Sequence, residues 1–425
     1  METNNNGLLL SPIQQTMLYS FFACPASYCN FEMQCFHIIG QLKESFLECA
    51  WKWVFRRHPI LGTRVCLDDS SSVLLTPAEQ LPPISFIYLE DSEFESKSKQ
   101  QLIEYRHNRI DLTNHVIEIT FLINRSGRRA YMLIVSHHLI YDGWSTGILI
   151  RDFEKAYLTL LKQRIIERPQ PEQCYQKFIR YQMLVSPNPC RDFYREYLKG
   201  YQHYTKRVHS FNIGFESKGR VRYSLHPLNA SSLSELRRQF QTTPAVILIA
   251  VWGREMMHCY GVDDIVVGIV FSGREAPISE IEEAVGPFIS IMPIRMRAGS
   301  MLSIIESVHT DMINLHAFQH TSFYQYPDMD ELPFHTMESV VVFQNYVIDE
   351  SINDASRDIF HVEYLESVYF PNNYISFEVK LINGNVYMEL CFDRDEFTLR
   401  SIEKLSQNIK EELMNLYSAK GGKHT

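Results

Sequence analysis

The chain of 425 residues carries 45% hydrophobic and 21% charged residues, a globular balance with enough apolar material for a large core. Its formal net charge of −9 disfavours a nucleic-acid surface, because phosphate binding needs a basic stripe. The first residues, Met1 to Gly7, are polar, and no apolar run reaches the about 18 residues of a membrane span. Nine dispersed cysteines form no C-x-x-C pair, which argues against a metal site or a redox dithiol. They read as reduced, buried thiols of a cytoplasmic protein.

In chain order, Glu44 to Arg57 places Phe46, Leu47, Ala50, Trp51, Val54 and Phe55 at three- and four-residue intervals. That spacing predicts a helix with one buried face, limited by Pro59. Thr63 to Leu67 and Ser72 to Leu75 predict two short strands around a polar turn. Arg129 to Ser136 is apolar on both alternating faces and predicts a central strand. Helical spacing returns over Ser145 to Gln163. Arg168-Pro169-Gln170-Pro171 then breaks both periodicities, so a domain boundary is expected there, between residues 1–170 and 171–425.

In the second part Thr243-Pro244 fits an N-cap and a first-turn proline, and Gly261 a C-terminal cap, for an apolar helix between them. Ile265 to Phe271 predicts a buried strand. Ile304, Ile305, Val308, Met312 and Ile313 read as a core stripe, and His258-Cys259 at a helix end as core packing rather than a nucleophile pair. Mixed helices and strands without a fixed-period repeat give an α/β class.

The most informative stretch is His137-His138-Leu139-Ile140-Tyr141-Asp142-Gly143, in a loop between the central strand and the next helix. Neighbouring residues at a strand end point oppositely, so the two histidines take different jobs, one facing a cleft and one packing inward. Adjacent histidines are also poorly spaced for one metal, which leaves acid–base chemistry as the better reading. A lone histidine at such a position is more often structural; the whole pattern in this loop is what turns the reading toward function. A buried Asp142 would need a cation or several donors.

His137 to Gly143 resembles the H-H-x-x-x-D-G motif of the condensation domains of nonribosomal peptide synthetases, members of the chloramphenicol-acetyltransferase-like superfamily. Leu10-Ser11-Pro12-Ile13-Gln14-Gln15-Thr16-Met17-Leu18-Tyr19 is similar to that family's opening helix. Arg57-His58-Pro59-Ile60-Leu61-Gly62-Thr63 resembles R-H-x-x-L-R-T, with Gly62 for the arginine and Pro59 for the usual glutamate. Tyr175-Gln176-Lys177-Phe178 resembles Y-x-D-F with Lys177 for aspartate, and Ser272-Gly273-Arg274 resembles S-G-R. Val285 to Arg295 resembles V-G-x-F-x-N-T-x-P-x-R, with Ser290 and Ile291 departing from Asn-Thr, and Gln344-Asn345 also fits.

The resemblance implies two chloramphenicol-acetyltransferase-like subdomains in a V-shaped pseudodimer with an interdomain active-site tunnel. It implies an acyltransferase forming an amide or ester bond between a carrier-bound thioester and an amine or hydroxyl. The partners are acyl or peptidyl carrier proteins and, in some reactions, a small soluble nucleophile; the protein is expected to be a monomer. No cofactor is bound, since substrates arrive on carrier phosphopantetheine.

His138 would take the nucleophile's proton or hold it by a hydrogen bond, and the Gly143 N–H is a candidate oxyanion donor. His137 would be structural, and Asp142 would pair with Arg274. Trp144, Ser145, Ser290, Gln344 and Asn345 are candidates to line the substrate tunnel. Arg164, Arg168, Lys177 and Arg180 read as solvated surface, with docking of an acidic carrier as the alternative. Two other functions stay open: a coenzyme-A-dependent acyltransferase of the same superfamily, and a non-catalytic docking module, which retention of His138 disfavours.

Overall fold

The computed structural model describes residues 8, 10–23, 28–67, 73–105, 109–202, 218–321, 337, 339–344, 359–369, 371, 373–382 and 385–418. The chain runs α1 (Pro12–Ala23), β1 (Phe31–Gly40), α2 (Glu44–Arg57), β2 (Thr63–Leu67), β3 (Val73–Pro77), β4 (Ile84–Leu89) and α3 (Phe94–Tyr105). There follow β5 (Ile117–Asn124), β6 (Arg129–His137), α4 (Gly143–Gln163), α5 (Cys174–Leu184), α6 (Asn188–Tyr197), β7 (Lys218–Asn229), α7 (Ala230–Phe240) and α8 (Pro244–Tyr260). The rest comprises β8 (Asp264–Phe271), β9 (Ser290–Arg297), α9 (Met301–His316), β10 (Ser339–Gln344), β11 (Phe360–Tyr369), β12 (Ile375–Ile382), β13 (Asn385–Asp393) and α10 (Leu399–Ser418).

Two compact units result, and both are discontinuous in sequence. The first is Met1–Met183 with Arg274–Phe288 and Val347–Phe370; the second is Leu184–Gly273, Ile289–Tyr346 and Pro371–Thr425. A single cut at residue 170 misses the two later excursions into the first unit. They are long-range events: Ala276, Ile281, Ala284, Val285 and Phe288 join the first core, and β11 pairs with β1. Local periodicity carries no information about such partners.

The first unit is built on a five-stranded sheet ordered β11-β1-β6-β5-β4, antiparallel except for the parallel β4–β5 pair. The position of β6 between β1 and β5 explains why both of its faces are apolar. Helix α2 forms over the predicted range because Leu47, Ala50, Trp51, Val54 and Phe55 are all buried on one stripe. Trp51 stacks on Phe153 of α4 at 5.1 Å, and its indole N–H meets Met132 Sδ of β6 at 3.3 Å. Helix α4 is thereby fixed against the strand that carries the histidines.

The second unit has a six-stranded sheet ordered β7-β13-β12-β10-β8-β9, with β10 parallel to β12 and β8. Helix α8 starts and stops where its caps predict: Thr243 Oγ1 accepts from the Val246 N–H, Pro244 takes the first turn, and Gly261 has φ 67°. Trp252 of α8 stacks on Phe377 of β12 at 4.9 Å. Three local readings differ. Ile313 is 65% exposed, and Leu315 completes the α9 stripe after Val308 and Met312. His258 and Cys259 lie exposed on the last turn of α8, and Cys49 is exposed too. Among the described residues no helix is long and apolar enough to cross a membrane.

Candidate active site

Every contact of the histidine loop described below lies within the first unit. Strand β6 ends at His137, which is 0% exposed, while His138 is partly exposed. The two side chains therefore occupy different environments, as alternation along a strand requires.

His138 is held from three sides. Its main-chain N–H donates to the Asn30 carbonyl at 2.7 Å, and Nδ1 lies 2.6 Å from the Tyr141 carbonyl. A carbonyl only accepts, so Nδ1 carries the proton and Nε2 keeps the lone pair in the neutral ring. The Tyr369 ring meets the imidazole at 5.1 Å and 78°.

Asp142 closes the loop as the N-cap of α4. Its Oδ1 accepts from the Ser145 N–H (3.0 Å), Ser145 Oγ (2.8 Å) and Arg274 Nη2 (3.0 Å), and Oδ2 accepts from the Phe288 N–H (3.1 Å). Arg274 also donates from Nη1 to the carbonyls of Ile281 (2.7 Å) and Ala284 (2.8 Å), and its guanidinium lies 4.3 Å from the Phe288 ring centroid. Asp142 is 1% and Arg274 5% exposed, so this is a buried charge pair whose lone pairs and protons are largely matched. Gly273, at φ 67°, turns the chain into Arg274.

Ser145, expected to line the substrate path, has no exposed surface. Its hydroxyl is committed to Asp142 and the Gly286 carbonyl as a donor, and accepts from Arg274 and the Gly286 N–H. Gly286 must be glycine: a Cβ there would stand 2.4 Å from Tyr175 Cδ2. Trp144 is 40% exposed, with its indole N–H on the Glu282 carbonyl at 3.0 Å. The Gly143 N–H belongs to the first turn of α4, where N–H groups lack intrahelical acceptors.

Three other motif segments pack on this loop, on the helix that follows it or on one another. Ser11 and Gln14 form a capping box on α1, Gln14 Oε1 accepting from the Ser11 N–H at 2.8 Å, while Gln14 Nε2 donates to the Leu139 carbonyl at 2.9 Å. Arg57 Nε and His58 Nε2 both reach Asp152 Oδ2, at 2.8 and 2.9 Å, tying α2 to α4. Tyr175 OH donates to Ser11 Oγ at 3.2 Å, and Phe178 packs on Phe288 at 4.9 Å.

A family profile described as "Condensation domain" matches residues 4–420. The chain belongs to the condensation-domain family. It is 25% identical over 368 residues to bacitracin synthase 3 of Bacillus licheniformis, covering 82% of this chain and 6% of that protein, so it spans a small fraction of that relative's length. Its fold matches the first condensation domain of the calcium-dependent antibiotic synthetase, solved with a substrate analogue (TM-score 0.78, 14% identity, 97% of each chain). It also matches the X-domain from teicoplanin biosynthesis (TM-score 0.80, 17% identity, 98% of this chain and 96% of that one).

In this condensation domain Ser290 and Gln344 belong to the second unit, at the start of β9 and the end of β10. Ser290 is 8% exposed, and among the described residues its hydroxyl has no hydrogen-bond partner. The Gln344 side chain and all of Asn345 lie outside the described residues. The reading from sequence missed Asn30 and Tyr369. Asn30 has φ 63°, a conformation asparagine tolerates, yet nothing in its neighbourhood marks it as a contact of His138. Tyr369 arrives only through the β11–β1 pairing, opposite Glu32.

His137 Nδ1 accepts from the Leu139 N–H at 3.1 Å, and the ring packs edge-on with Phe31 at 4.9 Å. Burial first, and then the positive charge of His138 and Arg109, pushes its pKa down to about 3 from 6.5. Below pH 6.5 the unfolded chain takes a proton that the folded chain refuses until about pH 3, so stability falls as pH falls through that window. Above it, His137 contributes no pH dependence. Urea unfolding at pH 7 and 5 should show wild type losing about 2 kcal/mol more than His137→Asn; equal losses would remove His137 as the acid-sensitive group.

Proposed function

We propose that this condensation domain joins a carrier-bound acyl or aminoacyl thioester to an amine or hydroxyl, in nonribosomal peptide or related natural-product assembly. The observation that carries the reading is the 2.6 Å approach of His138 Nδ1 to the Tyr141 carbonyl, which turns the Nε2 lone pair of the neutral ring away from that acceptor and leaves it as the base. The nucleophile's nitrogen or oxygen attacks the thioester carbonyl and a C–N or C–O bond forms. Nε2 takes the nucleophile's proton, the C–S bond breaks, and the proton passes to the departing thiolate. Gly143, at the positive end of α4, supplies an N–H for the developing oxyanion. His137, Asp142 and Arg274 hold the loop, and Trp144, Ser290, Gln344 and Asn345 are assigned to substrate contact. The chain needs no cofactor of its own, because phosphopantetheine arms of carrier proteins deliver the acyl groups.

The deciding experiment offers carrier-bound and coenzyme-A-bound thioesters to a panel of amines and alcohols. Turnover from carrier thioesters alone is the expected result, and equal turnover from coenzyme A would replace it with the free acyltransferase reading. A second reading, a docking module, draws on the likeness to the X-domain, which has also been solved in complex with OxyB. Function unimpaired by loss of the His138 side chain would favour it.

A further inference from the structure

The catalytic reading of His138 depends on which nitrogen is basic, and an imidazole on a loop can rotate about χ2 and exchange its nitrogens. In this chain the ring has a second restraint besides the Tyr141 carbonyl. Tyr369, the last residue of β11, sets its ring against the imidazole at 5.1 Å and 78°. Its hydroxyl donates to Asn30 Oδ1 at 3.3 Å. The same Asn30 accepts the His138 main-chain N–H on its own carbonyl at 2.7 Å. One asparagine, 4% exposed and in the left-handed region at φ 63°, therefore holds the backbone of His138 and the tyrosine that flanks its ring. Both residues lie within the matched 4–420 range, and neither falls in the short motif segments around His137–Gly143, Leu10–Tyr19, Arg57–Thr63, Tyr175–Phe178, Ser272–Arg274 or Val285–Arg295.

We propose that Asn30 and Tyr369 are positioning residues that lock the His138 imidazole in its Nδ1–H tautomer, leaving Nε2 as the base. A near-perpendicular ring at this distance obstructs rotation about χ2, and a rotated ring would also give up the 2.6 Å bond to Tyr141. The two residues lie 339 positions apart in the chain, and the pairing of β11 with β1 brings them together. The kinetic arm of the test rests on the acyl-transfer reading; the spectroscopic arm does not.

The test is a long-range proton–nitrogen correlation spectrum of the full chain labelled in histidine, near pH 8, where an ordinary imidazole is neutral. His138 is assigned by its loss in His138→Gln. Wild type should show a protonated Nδ1 and a bare Nε2; Tyr369→Phe and Asn30→Gly, which remove the 3.3 Å bond but keep the ring and the left-handed backbone, should blur that pattern in part. Tyr369→Leu should average the two nitrogens and lower kcat roughly 10²-fold with KM nearly unchanged, while Tyr369→Phe stays within about fivefold. Tyr369→Met, which fills the volume with a flexible chain, replaces the leucine variant if that one does not fold. Unaltered His138 nitrogens in a folded variant lacking the ring would overturn the proposal. Absence of transfer by wild type would count against the acyl-transfer reading and leave the spectra to decide the clamp.

Discussion

His138→Ala should lower kcat for acyl transfer by roughly 10²–10⁴-fold, the range a positioned general base supplies, while the protein remains folded. The two effects separate because His138 is only partly buried, whereas its neighbour His137 is fully enclosed. Removing the imidazole leaves the Tyr141 carbonyl without the Nδ1–H, a loss of about 1 kcal/mol, against a main-chain bond to Asn30 that alanine retains. KM should change little, because the proton transfer belongs to the transition state.

The comparison variant is His138→Gln, whose amide can hold a nucleophile by a hydrogen bond but cannot take its proton. Equal loss in both variants assigns His138 to proton transfer. Recovery of most of the rate in His138→Gln assigns it to positioning, with the intrinsic reactivity of a thioester toward an amine doing the remainder. Unaltered turnover in His138→Ala would remove the residue from the mechanism. Steady-state rates with a carrier-bound donor, beside circular dichroism of each variant, distinguish the three.

Local order was legible in the sequence wherever one segment determines it. The α2 stripe, the two-sided apolar β6 and the Thr243-Pro244 to Gly261 frame of α8 are each set by a period or a cap, and each appears at the expected residues. The histidine loop was legible for the same reason, being one short segment between a strand and a helix. What stayed hidden depends on partners far along the chain. The 274–288 excursion exists because Arg274 finds Asp142 and two turn carbonyls, and Ser145 is enclosed because Gly286 arrives on top of it. Ser145 follows the motif by two residues and carries an ordinary hydroxyl, so adjacency suggested a substrate contact. Its N–H and Oγ instead complete the Asp142 cap. Asn30 and Tyr369 are a purer case, because no pattern within either segment encodes a meeting across 339 residues.

Arg274→Met should cost about 3–5 kcal/mol of stability, the penalty for leaving one member of a buried ion pair behind. Asp142 is 1% exposed and would keep three donors, the Ser145 N–H, Ser145 Oγ and the Phe288 N–H, but no cation. The carbonyls of Ile281 and Ala284 would lose their shared donor as well, loosening the 274–288 segment on α4. Asp142→Asn fails differently. If the amide oxygen replaces Oδ1, the amide nitrogen faces the Phe288 N–H as donor against donor, and Arg274 stays charged and buried. The double variant Asp142→Asn/Arg274→Met removes both charges, so its loss should fall short of the sum of the singles by roughly 0.5–3 kcal/mol. Urea unfolding of the four proteins measures that coupling, and strict additivity would deny that the pair acts as a unit. The order of effects carries the mechanistic content. Asp142 caps the helix that begins at Gly143, four residues after the Leu139 carbonyl is pinned by Gln14. Loss of the pair should therefore lower stability and kcat together, whereas loss of the His138 imidazole should lower kcat almost alone.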